Sequence, residues 1–128
     1  MIIPEVIRIG SCDYTVEYTD ENIVVNHKEC YADIDYDNHA IRINNNIGDI
    51  QQKELSFLHE MFHGILADRA IEVEDEELVV EELAKGLHQV IRDNPEMFLD
   101  DSYFEEHQGC TNPYSESNEE EIDVQTDK

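Results

Sequence analysis

Positive charge is scarce in this 128-residue chain, which has 8 lysines and arginines against 32 aspartates and glutamates. The formal net charge of −24 at pH 7 predicts repulsion from the phosphates of nucleic acids and from anionic membrane surfaces. We therefore expect neither a nucleic acid nor a membrane as a partner. Two interpretations of the acidity stay open: a solvated acidic surface and tail, and a surface that mimics DNA and occupies a basic partner.

Long hydrophobic runs and an even set of cysteines are also missing. No apolar run approaches the roughly 20 residues that span a bilayer. The first five residues lack the basic start and long apolar segment of a signal peptide. Cys12, Cys30 and Cys110 are odd in number and widely scattered, which indicates reduced thiols rather than a disulfide framework. These features predict a cytoplasmic protein, in the host cytoplasm if the chain is encoded by a phage.

The order of sequence patterns predicts an α+β fold. β-Branched and aromatic residues in short segments indicate strands, and apolar residues at helical spacing indicate helices. The predicted strands cover residues 6–9, 14–18, 23–25, 32–36 and 40–43, and the predicted helices cover 50–67, 76–92 and 95–99. We expect a small antiparallel sheet of N-terminal hairpins, packed against a first, central helix and a second, glutamate-bearing helix.

A change in composition divides the chain. Residues 1–104 carry the predicted elements and are expected to form one domain. Residues 105–128 are dominated by Glu, Asp, Ser and Asn with few apolar residues, so an acidic, disordered tail is predicted there.

The stretch H-E-M-F-H at residues 59–63 matches the H-E-x-x-H pattern of zinc peptidases. Residues four apart share one face of a helix, so His59 and His63 can bind one zinc ion, with Glu60 beside it as general base. A metzincin would require a glycine and a third histidine where Leu66 and Arg69 stand, so that class is excluded. The alternative is a pair of core histidines, but two buried histidines beside an unpaired glutamate are costly.

A catalytic zinc site needs a third protein ligand, and the second predicted helix offers candidates. Glu81 lies at the border of its apolar face, whereas Glu82 points away into solvent. Glu77, one turn earlier, also flanks the face and stays a reserve ligand. His88, about two turns after Glu81, is a candidate third ligand or a donor that stabilises the oxyanion. The remaining interpretation is that His88 is simply a partly exposed residue of the helix.

These residues resemble a known group. The H-E-M-F-H stretch, followed by E-x-x-A at residues 81–84, is similar to the gluzincin zinc peptidases. More closely, the chain resembles small phage and mobile-element proteins of the minigluzincin and ImmA/IrrE-like type. The resemblance covers roughly residues 6–98, and its specific part is the motif with the E-x-x-A helix.

The resemblance implies zinc as cofactor, with His59, His63 and Glu81 as ligands and Glu60 as base. His88 stands where the group has a tyrosine-like residue that stabilises the oxyanion, so His88 would be a second catalytic residue.

The predicted function is a zinc-dependent metallopeptidase that hydrolyses a peptide or protein substrate, with Glu60 activating the zinc-bound water. The strand near residues 40–44 is expected to be a sheet edge along which an extended substrate adds. The alternative is a non-enzymatic, phage-type acidic interaction or anti-defence protein with a structural zinc site.

Overall fold

A computed structural model of the chain describes residues 1–99. Residues 1–93 form one compact unit, and a second unit begins at Asn94. The elements of the first unit are β1 (Val6–Ile9), β2 (Cys12–Thr19), β3 (Ile23–Val25), β4 (Lys28–Cys30), β5 (Ala32–Asp35), β6 (Ala40–Asn44), α1 (Ile50–Asp68) and α2 (Glu76–Asp93). In the second unit, Pro95–Phe98 forms a short 3-10 helix. The predicted tail at residues 105–128 and the domain boundary at 104 lie outside the described residues.

The main sheet has four strands in the order β1-β2-β6-β5, and β3 and β4 form a separate two-stranded ribbon. The pairs β1–β2 and β5–β6 are antiparallel, whereas β2 and β6 run parallel, so the sheet is mixed. The expected α+β fold, with a small sheet packed against two helices, is confirmed. Strand β6 lies between β2 and β5, so the expectation that residues 40–44 form a sheet edge is wrong. The edge strand on that side is β5.

Helix α1 lies on the sheet and carries much of the core. It begins where Asp49 caps it, since the Asp49 carboxylate accepts a hydrogen bond of 2.9 Å from the backbone nitrogen of Gln51. Phe57 and Leu58 are buried in the same cluster as Ile41 and Ile43 of β6. This packing anchors α1 near its middle, one residue before the H-E-M-F-H stretch.

Helix α2 packs against α1 through its apolar face. Val80 and Ala84 are buried, whereas Leu83, which the helical pattern places on the same face, is 48% exposed. The acidic residues Glu76 and Glu77 occupy the first turn of α2, where the helix dipole stabilises negative charge. No helix within residues 1–99 is long and apolar enough to cross a membrane.

Two helical glycines provide a test of how closely α1 approaches the sheet. A Cβ on Gly64 of α1 would lie 2.9 Å from Cδ1 of Ile9 and 3.1 Å from Cδ1 of Ile34, whereas one on Gly86 of α2 would meet nothing within 4 Å. Both changes to alanine gain helix propensity, about 1 kcal/mol each. Only Gly64→Ala crowds the core, and because it meets the terminal methyl groups of two isoleucine side chains, the cost is at the low end for overpacking, about 1 kcal/mol. We expect Gly86→Ala to be more stable than wild type and Gly64→Ala to be less stable than Gly86→Ala by that overpacking cost. Urea unfolding followed by circular dichroism measures both, and equal stability of the two variants would contradict the close approach.

Candidate metal centre

His59 and His63 point their Nε2 atoms at the same position. Both come from consecutive turns of α1, and their Nε2 atoms are 3.2 Å apart. Two nitrogens that each bind a tetrahedral zinc ion at about 2.0–2.1 Å are separated by roughly 3.3 Å. The side chains are sheltered, with 18% of His59 and 11% of His63 exposed. The pair is therefore spaced as two ligands of one ion.

Glu77 places its carboxylate across both Nε2 atoms. Its Oε1 lies 3.1 Å from Nε2 of His59, and its Oε2 lies 2.9 Å from Nε2 of His63. These separations also match the distance between neighbouring ligands of one ion. His59, His63 and Glu77 thus form a group that could hold a metal ion, and two imidazoles with one carboxylate are a donor set that suits zinc.

Glu81 also reaches the histidines, but at a different atom. Its Oε1 lies 2.9 Å from Nδ1 of His59, and its other oxygen lies 3.5 Å from Nζ of Lys85. Glu82, expected to be solvated, has a side chain 64% exposed and contacts the same lysine. The structure therefore brings Glu81 to the site and leaves Glu82 outside, but it brings Glu77 closer than Glu81 to the meeting point of the Nε2 atoms.

Glu76 is a site residue that the sequence interpretation missed. Its Oε2 lies 2.7 Å from Nδ1 of His63. The sequence signal is the pair of acidic residues with which the predicted helix 76–92 begins. Helical periodicity defines a face in the middle of α2, where the apolar residues lie, and carries little information at the first turn.

Glu60 is buried beside the two histidines, with 8% of its surface exposed. Burial raises the pKa of its carboxyl to about 7, against the opposing influence of His59 and His63. The side chain lines the same cleft as the two histidines. A buried carboxylate at this place can accept a proton from a group bound in the cleft.

The group of His59, His63 and Glu77 lines a cleft of about 720 Å³, a size typical of ligand sites. Its walls come from α1, α2, the β3–β4 ribbon and the edge strand β5. Leu55 and Ser56 come from α1, and Ala84 and Lys85 come from α2. Val25 and Cys30 come from the ribbon, and Ala32, Asp33 and Ile34 come from β5. The candidate ligands therefore lie in a cleft that the edge strand β5 helps to line.

Tyr36, directly after β5, stands at this cleft. Its hydroxyl donates a hydrogen bond of 3.3 Å to the backbone carbonyl oxygen of His63. Burial raises the pKa of Tyr36 to about 12, and the negative charges of Glu76 and Glu60 add to that shift. The phenol therefore stays protonated near neutral pH and remains a donor. The sequence pattern places Tyr36 in the predicted strand 32–36 but does not indicate this contact.

His88 does not line the cleft of the metal-binding group. It is buried between the helices, with Nε2 2.7 Å from Oε1 of Glu54. Seven residues separate His88 from Glu81, an advance of about 10 Å along a helix. The helices run antiparallel, because Glu77 and Glu81 meet His63 and His59, and His88 meets Glu54 earlier on α1. His88 therefore lies on the same side of α2 as Glu81 but does not reach His59 or His63.

Comparison with protein families, characterised proteins and solved structures finds no match to this chain. The resemblance to the gluzincin and ImmA/IrrE-like group accordingly stays a prediction.

Proposed function

We propose that this protein is a zinc-dependent metallopeptidase. The observation that carries the proposal is the convergence of two Nε2 atoms and one carboxylate in an open cleft that also contains a buried glutamate. A structural zinc site is usually closed by four protein ligands, whereas a catalytic site has three and keeps a position open. Three ligands from two helices, facing a cleft, favour the catalytic kind.

His59 and His63 would hold the ion through Nε2, with Glu77 as third ligand from the geometry and Glu81 as third ligand from the resemblance. When bound, zinc lowers the pKa of water and polarises a carbonyl. The protein's own contribution is to hold the ligands on two packed helices and to leave the side toward β5 open.

Glu60 is proposed as the general base and acid. It follows His59 in α1, so its side chain lies about 100° around the helix from that ligand and lines the same cleft. In this role it accepts the proton of the attacking water and delivers it to the leaving amine of the cleaved peptide bond. Its burial excludes most bulk water from the carboxylate.

The substrate is proposed to be an extended peptide that pairs with β5. This strand is at the edge of the four-stranded sheet, and its residues Ala32, Asp33 and Ile34 line the cleft. A strand at a sheet edge presents backbone donors and acceptors in a row, so a peptide can add there as a further strand. Such pairing would place a peptide bond of the substrate across the cleft beside Glu60.

A peptide mixture of mixed sequence, incubated with the zinc-loaded full-length protein and read by mass spectrometry, tests the proposal. We expect new termini to appear, to vanish when a chelator removes the metal, and to return when zinc is restored. The control is the same mixture with zinc and no protein. An intact mixture in the presence of stoichiometrically bound zinc would contradict the proposed peptidase.

A further inference from the structure

His63 is held at three separate atoms. Its Nε2 faces Glu77, its carbonyl oxygen accepts the hydrogen bond from Tyr36, and its Nδ1 meets Oε2 of Glu76 at 2.7 Å. Within residues 1–99, the contact of Glu76 with the histidine pair is made at this Nδ1 atom of His63 and not at His59. Glu76 therefore stands behind the imidazole, on the side away from the cluster of Nε2 atoms.

A carboxylate in this position has a definite effect on a metal-binding histidine. A neutral imidazole carries its proton on one nitrogen and can bind a metal only through the other. A carboxylate that accepts a hydrogen bond from Nδ1–H fixes that tautomer, orients the ring and makes Nε2 more basic. Glu81 contacts Nδ1 of His59 in the same way, but Glu81 is also a candidate ligand. Glu76 has no such competing role.

We propose that Glu76 is a positioning residue of the metal centre, which orients His63 and fixes its Nδ1–H tautomer without itself binding the ion. The proposal rests on the metal site of the proposed function, but not on peptide hydrolysis. Glu76 is the first residue of α2, so the contact also ties the start of this helix to the second histidine of α1. The start of α2 thereby has a role at the site beyond helix formation.

Two variants of the full-length protein separate this role from a general effect of charge. Glu76→Ala removes the acceptor, whereas Glu76→Gln removes the charge and keeps an amide oxygen that can accept the hydrogen bond. Glu82→Ala is the matched control, because Glu82 also belongs to α2 and pairs with Lys85 instead of a histidine. Zinc affinity is measured by competition with a chromophoric chelator, and the His63 tautomer is measured from the nitrogen-15 shifts of its ring.

We expect Glu76→Ala to weaken zinc binding by about 10- to 100-fold, as is usual for such outer carboxylates. Glu76→Gln should lose less, and Glu82→Ala should bind zinc as wild type does. In the zinc-free proteins, the ring of His63 should populate the Nδ1–H form in wild type and Glu76→Gln, and should shift toward the Nε2–H form, which faces Glu77, in Glu76→Ala. This change of tautomer is a signature that a merely structural role for Glu76 would not produce.

Equal zinc affinity of wild type and Glu76→Ala would overturn the proposal, as would equal losses in Glu76→Ala and Glu82→Ala. A tautomer that is unchanged in Glu76→Ala would also overturn it, and so would the absence of zinc binding in wild type. If the variants behave as expected but no peptide is cleaved, the proposed peptidase fails and the role of Glu76 stands. The two proposals can therefore fail separately.

Discussion

Replacing Glu60 by glutamine is expected to abolish peptide hydrolysis while zinc stays bound. The amide occupies the same space but cannot accept the proton of the attacking water, and loss of a general base typically costs about 10²- to 10⁴-fold in rate. The metal ligands are other residues, so the zinc content should be that of wild type. Hydrolysis rates from chromatography and metal content from mass spectrometry measure the two effects independently.

The same substitution should leave the fold intact. Glu60 is 8% exposed, and burial is the largest influence that raises its pKa to about 7. A neutral amide at a buried position avoids the desolvation that opposes a charged carboxylate there. Thermal unfolding of Glu60→Gln is therefore expected at or above the temperature of wild type. The control is Glu82→Gln, whose side chain is 64% exposed and contacts Lys85.

Glu60→Gln also separates the proposed enzyme from the alternative of an acidic interaction or anti-defence protein. An interaction protein with a structural zinc site would keep its biological effect in Glu60→Gln and lose it when His59→Ala disrupts the metal-bound fold. A peptidase would lose its effect in Glu60→Gln with fold and zinc preserved. Unchanged hydrolysis in Glu60→Gln would show that the base is another group of the cleft.

Local sequence patterns were sufficient to predict α1 and the convergence of its two histidines. The observed helix Ile50–Asp68 extends the predicted one by a single residue, and Asp49 caps its start. The spacing of His59 and His63 depends only on helical geometry, so their convergence followed from the motif. These features are determined within one element, which is why the sequence alone could predict them.

Features that depend on two elements were harder to predict. The parallel pairing of β2 with β6 joins strands separated in sequence by the β3–β4 hairpin and by β5, and no local pattern encodes such a register. The partner of His88 was missed for a related reason. Helical periodicity shows that His88 lies on the face toward α1, but only the antiparallel alignment of the helices shows that Glu54 is opposite it.

The identity of the proposed third metal ligand also depends on two elements, α1 and α2. Glu76, Glu77 and Glu81 lie within the first six residues of α2, and all three carboxylates contact a histidine ring. Which of them binds a metal depends on how far α2 is displaced along α1 and on side-chain rotamers. Neither quantity is determined by the sequence of α2 alone. Substitution of the two candidate ligands is therefore the decisive measurement.

Glu77→Ala is expected to lose zinc, and Glu81→Ala is expected to retain it with reduced affinity. Structural zinc sites with four ligands contribute about 10–16 kcal/mol, so one ligand of four accounts for roughly 3 kcal/mol, or on the order of 100-fold in affinity. Glu81 contacts His59 at Nδ1, so its loss is expected to cost about 10-fold, in the lower range for an orienting carboxylate. Chelator competition measures both, with Glu82→Ala as the control.

The opposite result has an equally definite meaning. The Glu77 side chain is 74% exposed and the Glu81 side chain is 48% exposed, so both have room to change rotamer at the mouth of the cleft. Loss of zinc in Glu81→Ala with retention in Glu77→Ala would assign the third ligand to Glu81, as the resemblance implies. Cobalt substitution adds a second readout, because loss of a carboxylate ligand changes the visible spectrum of the bound ion, whereas loss of an outer carboxylate changes mainly its affinity. A spectrum altered in Glu77→Ala and preserved in Glu81→Ala would confirm the geometry in which one carboxylate faces both Nε2 atoms.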